Sequence, residues 1–163
     1  MSLITSSIGQ GLLWAILGVA LFLTFRILDF PDMTVEGTFP LGAAVTVTAI
    51  THGASPVLAT LYGCLAGAAG GLITGLLYTK GKIPILLAGI LVMTGCLSVN
   101  LRVMGGSNIS LIGKTTFFSA NIFQTLPKYF DSIIIGGSTI IIIIIIVILF
   151  LETNLGQAFI VTG

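Results

Sequence analysis

Two stretches of the sequence hold residues whose types and spacing could do chemistry. One is Gly113-Lys114-Thr115, the ending of a phosphate-binding loop, which would make the chain an ATPase. The other contains Asp29, Asp32 and Glu36, three of the five acidic residues, set between apolar flanks. The phosphate loop fails on spacing. Its backbone N–H groups can wrap phosphates only when another glycine opens the loop at the Walker spacing. Asn108 stands at that position, and Gly106 comes too early. The loop should also follow a buried strand and open a helix, and the surrounding sequence offers neither. Other catalytic sets are missing as well. His52 is the single histidine, and no HExxH, Cys/His metal spacing or Ser/His/Asp set is within reach. Cys64 and Cys96 read as small apolar side chains in helix contacts. We expect no catalysis, no metal and no cofactor in this chain.

The elements that must position the acids follow from composition. The 163 residues are 56% hydrophobic and only 7% charged, whereas soluble domains carry roughly 25% charged residues. Such a chain cannot clothe a water-facing surface, and it has no basic run for nucleic acid. Its partner is the lipid bilayer. The charges are clustered, which leaves residues 1–25, 37–79, 83–101 and 132–151 free of Asp, Glu, Lys and Arg. A helix needs about 20 apolar residues to cross the hydrocarbon core. The second interval is long enough for two elements and contains Ser55-Pro56. The fold class is therefore an all-α polytopic membrane protein with about five helices, near 8–27, 38–53, 57–78, 83–103 and 132–151. Segment one has no basic leader and ends in Arg26, so it reads as a mature helix and not a signal peptide.

Orientation rests on Lys80-Gly81-Lys82, a tight turn between segments three and four. Short basic loops stay cytoplasmic. Alternation then puts 26–37 and the tail 152–163 inside, and the N-terminus, 52–56 and the loop 105–131 outside. Arg26 agrees with this scheme; Arg102, Lys114 and Lys128 oppose it.

Three segments stand out. Segment three carries Gly63, Gly67, Gly71 and Gly75, four apart and so on one helix face. Between helices in lipid, small residues permit close backbone contact, so the stripe reads as a packing face; a glycine-lined pore wall is the alternative. Segment five holds an unbroken isoleucine run, 140–146, suited to lipid exposure. Between segments one and two, Asp29, Pro31, Asp32, Glu36 and Gly37 mark a break. Pro31 and Pro40 oppose a continuous helix through 25–44, and segment two is short. Irregular backbone at membrane depth must line protein or a water-filled cavity, and broken helices build transporter substrate sites. A solvated cytoplasmic loop with Arg26 paired to Asp29 fits the residues equally well. The loop 105–131 is long, and Phe117, Phe118, Phe123, Tyr129 and Phe130 suit a re-entrant or headgroup-level piece.

The stretch from Phe25 to Ala44, with Asp29-Phe30-Pro31-Asp32-Met33-Thr34-Val35-Glu36-Gly37 at its centre, resembles bacterial ABC-importer permeases of the tryptophan/tyrosine type. These are relatives of the branched-chain amino acid and ribose permeases. The stretch from Asn100 to Leu111 is similar to the same family, in which Lys114 is not part of the pattern. Thr153, Gly156 and Gly163 resemble the start of the permease coupling loop, with Val161 where alanine is usual. The resemblance implies that this tail is cytoplasmic and docks an ATPase subunit, in agreement with the lysine turn. It also implies the N-terminal part of a longer permease.

The resemblance further implies a bacterial inner-membrane importer for amino acids, with aromatic ones in view. Two permease copies would form the pathway. ATP would be hydrolysed on a separate ATPase subunit, and a substrate-binding protein would dock outside. Among the acids, a role in the pathway and a structural role in capping segment two both stay open. An ATP-independent secondary transporter or small channel would use broken helices and intramembrane acids just as well.

Overall fold

The computed structural model describes residues 2–27, 29, 31–111, 113 and 130–162. All regular structure among them is helical. Helix α1 (Ser2–Phe22) runs into a π-helical turn, Leu23–Ile27. Then follow α2 (Thr34–Thr51), α3 (Pro56–Thr79), α4 (Ile85–Met104), α5 (Phe130–Glu152) and a short α6 (Asn154–Thr162). Among the described residues, Ser6–Ile27, Pro56–Thr79, Ile85–Met104 and Ile133–Glu152 are long and apolar enough to cross a membrane. With the apolar α2 they form an all-α polytopic membrane protein. The proposed piece at 105–131, with Phe117, Phe118, Phe123 and Tyr129, lies largely outside the described residues, as do Lys114 and Gly163.

Local sequence explains the helix ends. Ser55 caps α3 by accepting from Leu58 N at 3.4 Å, with Pro56 at the first helical position, where its missing N–H costs nothing. Gly105 ends α4 in the left-handed region at φ 65°, donating to Arg102 O. One expectation needs correcting. Pro40 sits inside α2, which is continuous from Thr34 over 18 residues. The carbonyl that Pro40 leaves without its helical donor is that of Glu36, an exposed residue in the first turn. The opening in the ladder therefore falls where polar groups can reach it, and the break in the chain lies before α2, at Pro31.

The chain divides into two compact units, Met1–Phe30 with Phe118–Gly163, and Pro31–Phe117. In the first unit α1 packs on α5, and Gly136 lets the two approach. A Cβ there would lie 3.1 Å from Leu12 Cβ and 3.5 Å from Gly9 O. Beyond this contact, Ile141, Ile142, Ile144, Ile145 and Ile146 are all exposed.

In the second unit α2 lies between α3 and α4. Four of its buried residues, Thr34, Gly37, Leu41 and Ala44, recur at alternating steps of three and four, which makes one helical face, and Ile50 is buried nearer the end of the helix. Ala59, Gly63, Gly70 and Thr74 meet it from α3, and Ala88, Gly89, Val92 and Cys96 from α4. Nearly every contact residue is small. A Cβ on Gly37 would stand 2.6 Å from Met93 Cα, and one on Gly63 would stand 2.7 Å from Gly42 O and overlap Thr46 Oγ1. The backbones of α2, α3 and α4 touch at these points. Where lipid replaces water, such close packing supplies the dispersion that the hydrophobic effect does not.

Candidate functional site

The acids predicted as one cluster fall on both sides of the division between units. Asp29 ends the first unit, exposed and held at φ 53°, in the left-handed region that non-glycine residues seldom adopt. Pro31 opens the second unit and is exposed. Among the described residues no ion pair joins Arg26 to Asp29.

Asp32 begins a polar network at the N-terminus of α2. Its Oδ1 accepts from Thr34 N at 2.9 Å and also from the Thr34 hydroxyl. Thr34 Oγ1 is 2.8 Å from Thr74 Oγ1 on α3, and since the Thr34 proton goes to Asp32, Thr74 is the donor of this pair, with Gly70 O a second acceptor at 3.4 Å. Both threonines are almost wholly buried. The carboxylate thus satisfies a free N–H of the first turn, favoured further by the helix dipole, and tethers α2 to α3 through two hydroxyls. From α4, Gly89 makes room for this arrangement, since a Cβ there would come within 2.7 Å of Asp32 Oδ1. Glu36 is exposed in the same first turn, and Gly37 is buried against α4.

Sequence reasoning named Asp32 and Gly37 but missed Thr34, Thr74 and Gly89. The available signal was the step of three from Thr34 to Gly37, continued to Leu41 and Ala44. Of the glycine stripe, Gly63 lies against α2, and a Cβ on Gly67 would stand 3.9 Å from Thr38 O. Gly71 and Gly75 have open space instead. The residue in tight contact beyond Gly63 is Gly70, where a Cβ would strike the Thr38 methyl. Further along α4, Asn100 Oδ1 is buried with no hydrogen-bond partner among the described residues.

The third set of residues forms the corner between α5 and α6. Thr153 donates its hydroxyl to Phe150 O at 2.6 Å and accepts from Gly156 N at 3.2 Å. The first bond closes the end of α5 and the second caps the start of α6. Gly156 is buried against the last turn of α5. A Cβ there would overlap Phe150 O and come within 2.5 Å of Leu151 Cα. The spacing Thr-x-x-Gly therefore has a mechanical meaning: the threonine ties both helix ends, and the glycine lets α6 fold directly onto α5.

Membrane helices joined by glycine contacts, followed by a short helix turned off the last described span, define a polytopic membrane protein. Residues 3–163 match the family described as branched-chain amino acid transport system / permease component, and the chain belongs to that family. It is 41% identical over 156 residues to the tyrosine transport system permease protein of Clostridioides difficile (strain R20291), covering 96% of this chain and 50% of that protein. It is 34% identical over 119 residues to an uncharacterised protein of Rickettsia prowazekii (strain Madrid E), covering 73% of this chain and 42% of the relative. The chain thus spans about half the length of the curated relatives it matches, or less. No solved structure matches it.

Proposed function

We propose that this chain is permease material of an ATP-driven, binding-protein-dependent amino acid importer of the bacterial inner membrane, with aromatic amino acids as the leading substrates. The observation that carries the reading is family membership over residues 3–163. The name of the 41% identical relative, a tyrosine transport system permease protein, supports the substrate class. The α5–α6 corner supports the coupling role. A rigid helix pinned by Thr153 and Gly156 passes a push at α6 into α5 without a slack loop between them. In this reading α6 meets an ATPase subunit in the cytoplasm, a substrate-binding protein docks on the opposite side, and a second permease copy completes the pathway. ATP is used only on the partner, whose two states must contact the permease differently to shift it. Asp32, with Thr34 and Thr74, acts as a brace at the entry of α2, Glu36 stands exposed in its first turn, and Gly37 keeps α4 close.

Uptake of labelled tyrosine, tryptophan and leucine, in cells with and without this chain, tests the proposal. Depleting ATP with arsenate should abolish the chain-dependent uptake, while a protonophore that spares ATP should leave it intact. Uptake that follows the ion gradient and ignores ATP depletion would replace the importer with a secondary transporter.

A further inference from the structure

The second unit has an apolar groove of about 410 Å³ lined by residues of α2, α3 and α4. Leu41 of α2, with Gly70, Val92 and Cys96, forms its buried floor, and Ile73, Leu91 and Gly95 stand exposed along its rim. Apart from the Cys96 thiol the lining is hydrocarbon or glycine. A zwitterionic amino acid would find nothing there to replace its lost hydration, so the groove is not the substrate pathway.

One end of the groove is basic. Leu77 closes it, and the turn bearing Lys80 and Lys82 is built directly on that residue, with Ile83 N donating to Leu77 O at 3.3 Å. Lys80 and Lys82 are both exposed, and Lys82 is held at φ 51°. The carboxylates of the second unit are Asp32, just before α2, and Glu36, in its first turn. Asp32 is engaged by Thr34, and Glu36 is exposed. Among the described residues neither is in an ion pair with a lysine. We propose that this groove is a binding site for one anionic phospholipid, its acyl chain lying between α3 and α4 over Leu41 and its phosphate held by Lys80 and Lys82. The charge complementarity selects this occupant. A helix of a second copy could cover the apolar wall but would leave both ammonium groups unused, whereas lysine stems reach readily from an apolar wall to a headgroup. The inference requires only that the chain reside in a bilayer, and it stands or falls apart from the importer reading.

Gly95 supplies the test, because a Cβ there meets nothing within 4 Å. Gly95→Phe should fill the groove without displacing backbone. Gly18, equally open on α1, gives the control Gly18→Phe. The full chain, purified in mild detergent, is titrated with phosphatidylglycerol or phosphatidylcholine and read by native mass spectrometry. Thermal melting of each variant confirms that it is folded. The wild type and Gly18→Phe should retain one phosphatidylglycerol in preference to phosphatidylcholine. Lys80→Gln and Lys82→Gln should each weaken that preference about fivefold, and folded Gly95→Phe should lose the bound lipid. A diazirine-tailed phosphatidylglycerol should also crosslink to α3 or α4 in the wild type. Equal retention of the two lipids, a folded Gly95→Phe that still binds, or crosslinks confined to other helices would overturn the site. So would a dimer whose formation excludes the lipid.

Discussion

The α2–α3–α4 unit and the α1–α5 pair solve the same problem with opposite materials. Both must hold helices together where water supplies no drive. The first does so with glycines, threonines and alanines that bring backbones into contact, Gly37 on Met93 and Gly63 on Gly42, and that seat the Thr38 methyl against Gly70. The second approaches closely at Gly136 and then presents a wall of exposed isoleucine. The difference teaches that hydrophobicity alone places a segment in the membrane but does not say what it packs against. Small residues decide that, and only those on the facing side count.

Substitutions can break this comparison, beginning where the backbone contact is tightest. Gly37→Leu drives a side chain into the α4 backbone and should cost about 3 kcal/mol or more. The expected outcome is loss of folded, detergent-stable protein, and a Leu variant that melts like the wild type would undo the packing account. Gly156→Ala comes next. Its methyl group overlaps the end of α5, so α6 must swing away. Membrane insertion should persist while chain-dependent uptake falls at least tenfold; unchanged uptake would separate the corner from coupling.

Smaller effects sharpen the same contrast. Thr74→Val removes the hydroxyl that meets Thr34, and interhelical hydrogen bonds in membranes average about 0.6 kcal/mol. A modest drop in unfolding free energy, by denaturation in mixed micelles, is the expected reading, and a loss comparable with Gly37→Leu would mean that the network carries far more than a brace. At the bottom of the series stand Gly71→Leu and Ile142→Leu. Both positions are open or exposed, so each should shift stability by less than about 0.5 kcal/mol. If Gly71→Leu were as damaging as Gly63→Leu, the whole four-residue stripe would be a contact face and the assignment of Gly70 in its place would be wrong.

Much of this was legible in the order of residues. The charge-free intervals marked the helices, and Ser55-Pro56 marked the division between α2 and α3. The acid-rich break before α2 was also readable, from Pro31 standing among three clustered acids. Pro40 was misleading, since a proline early in a helix frees only a carbonyl near the polar end. The glycine stripe was half informative. A period of four drifts around a helix of 3.6 residues per turn, so four glycines so spaced cannot all stay on a straight seam. The face used by α3 alternates four-residue and longer steps, from Ala59 through Gly63 and Gly70 to Thr74.

Composition by itself determined that the chain is helical and belongs in lipid, because a backbone without water must bond internally and too few charges remain to cover a soluble surface. What the order of residues could not decide was which partners meet. The pairing of Thr34 with Thr74, the seat of Asp32 beside Gly89 and the fold of α6 onto α5 at Gly156 all depend on contacts between helices. Those contacts depend on helix rotation and approach, quantities that many distant residues set together, and they exist only once the bundle has formed.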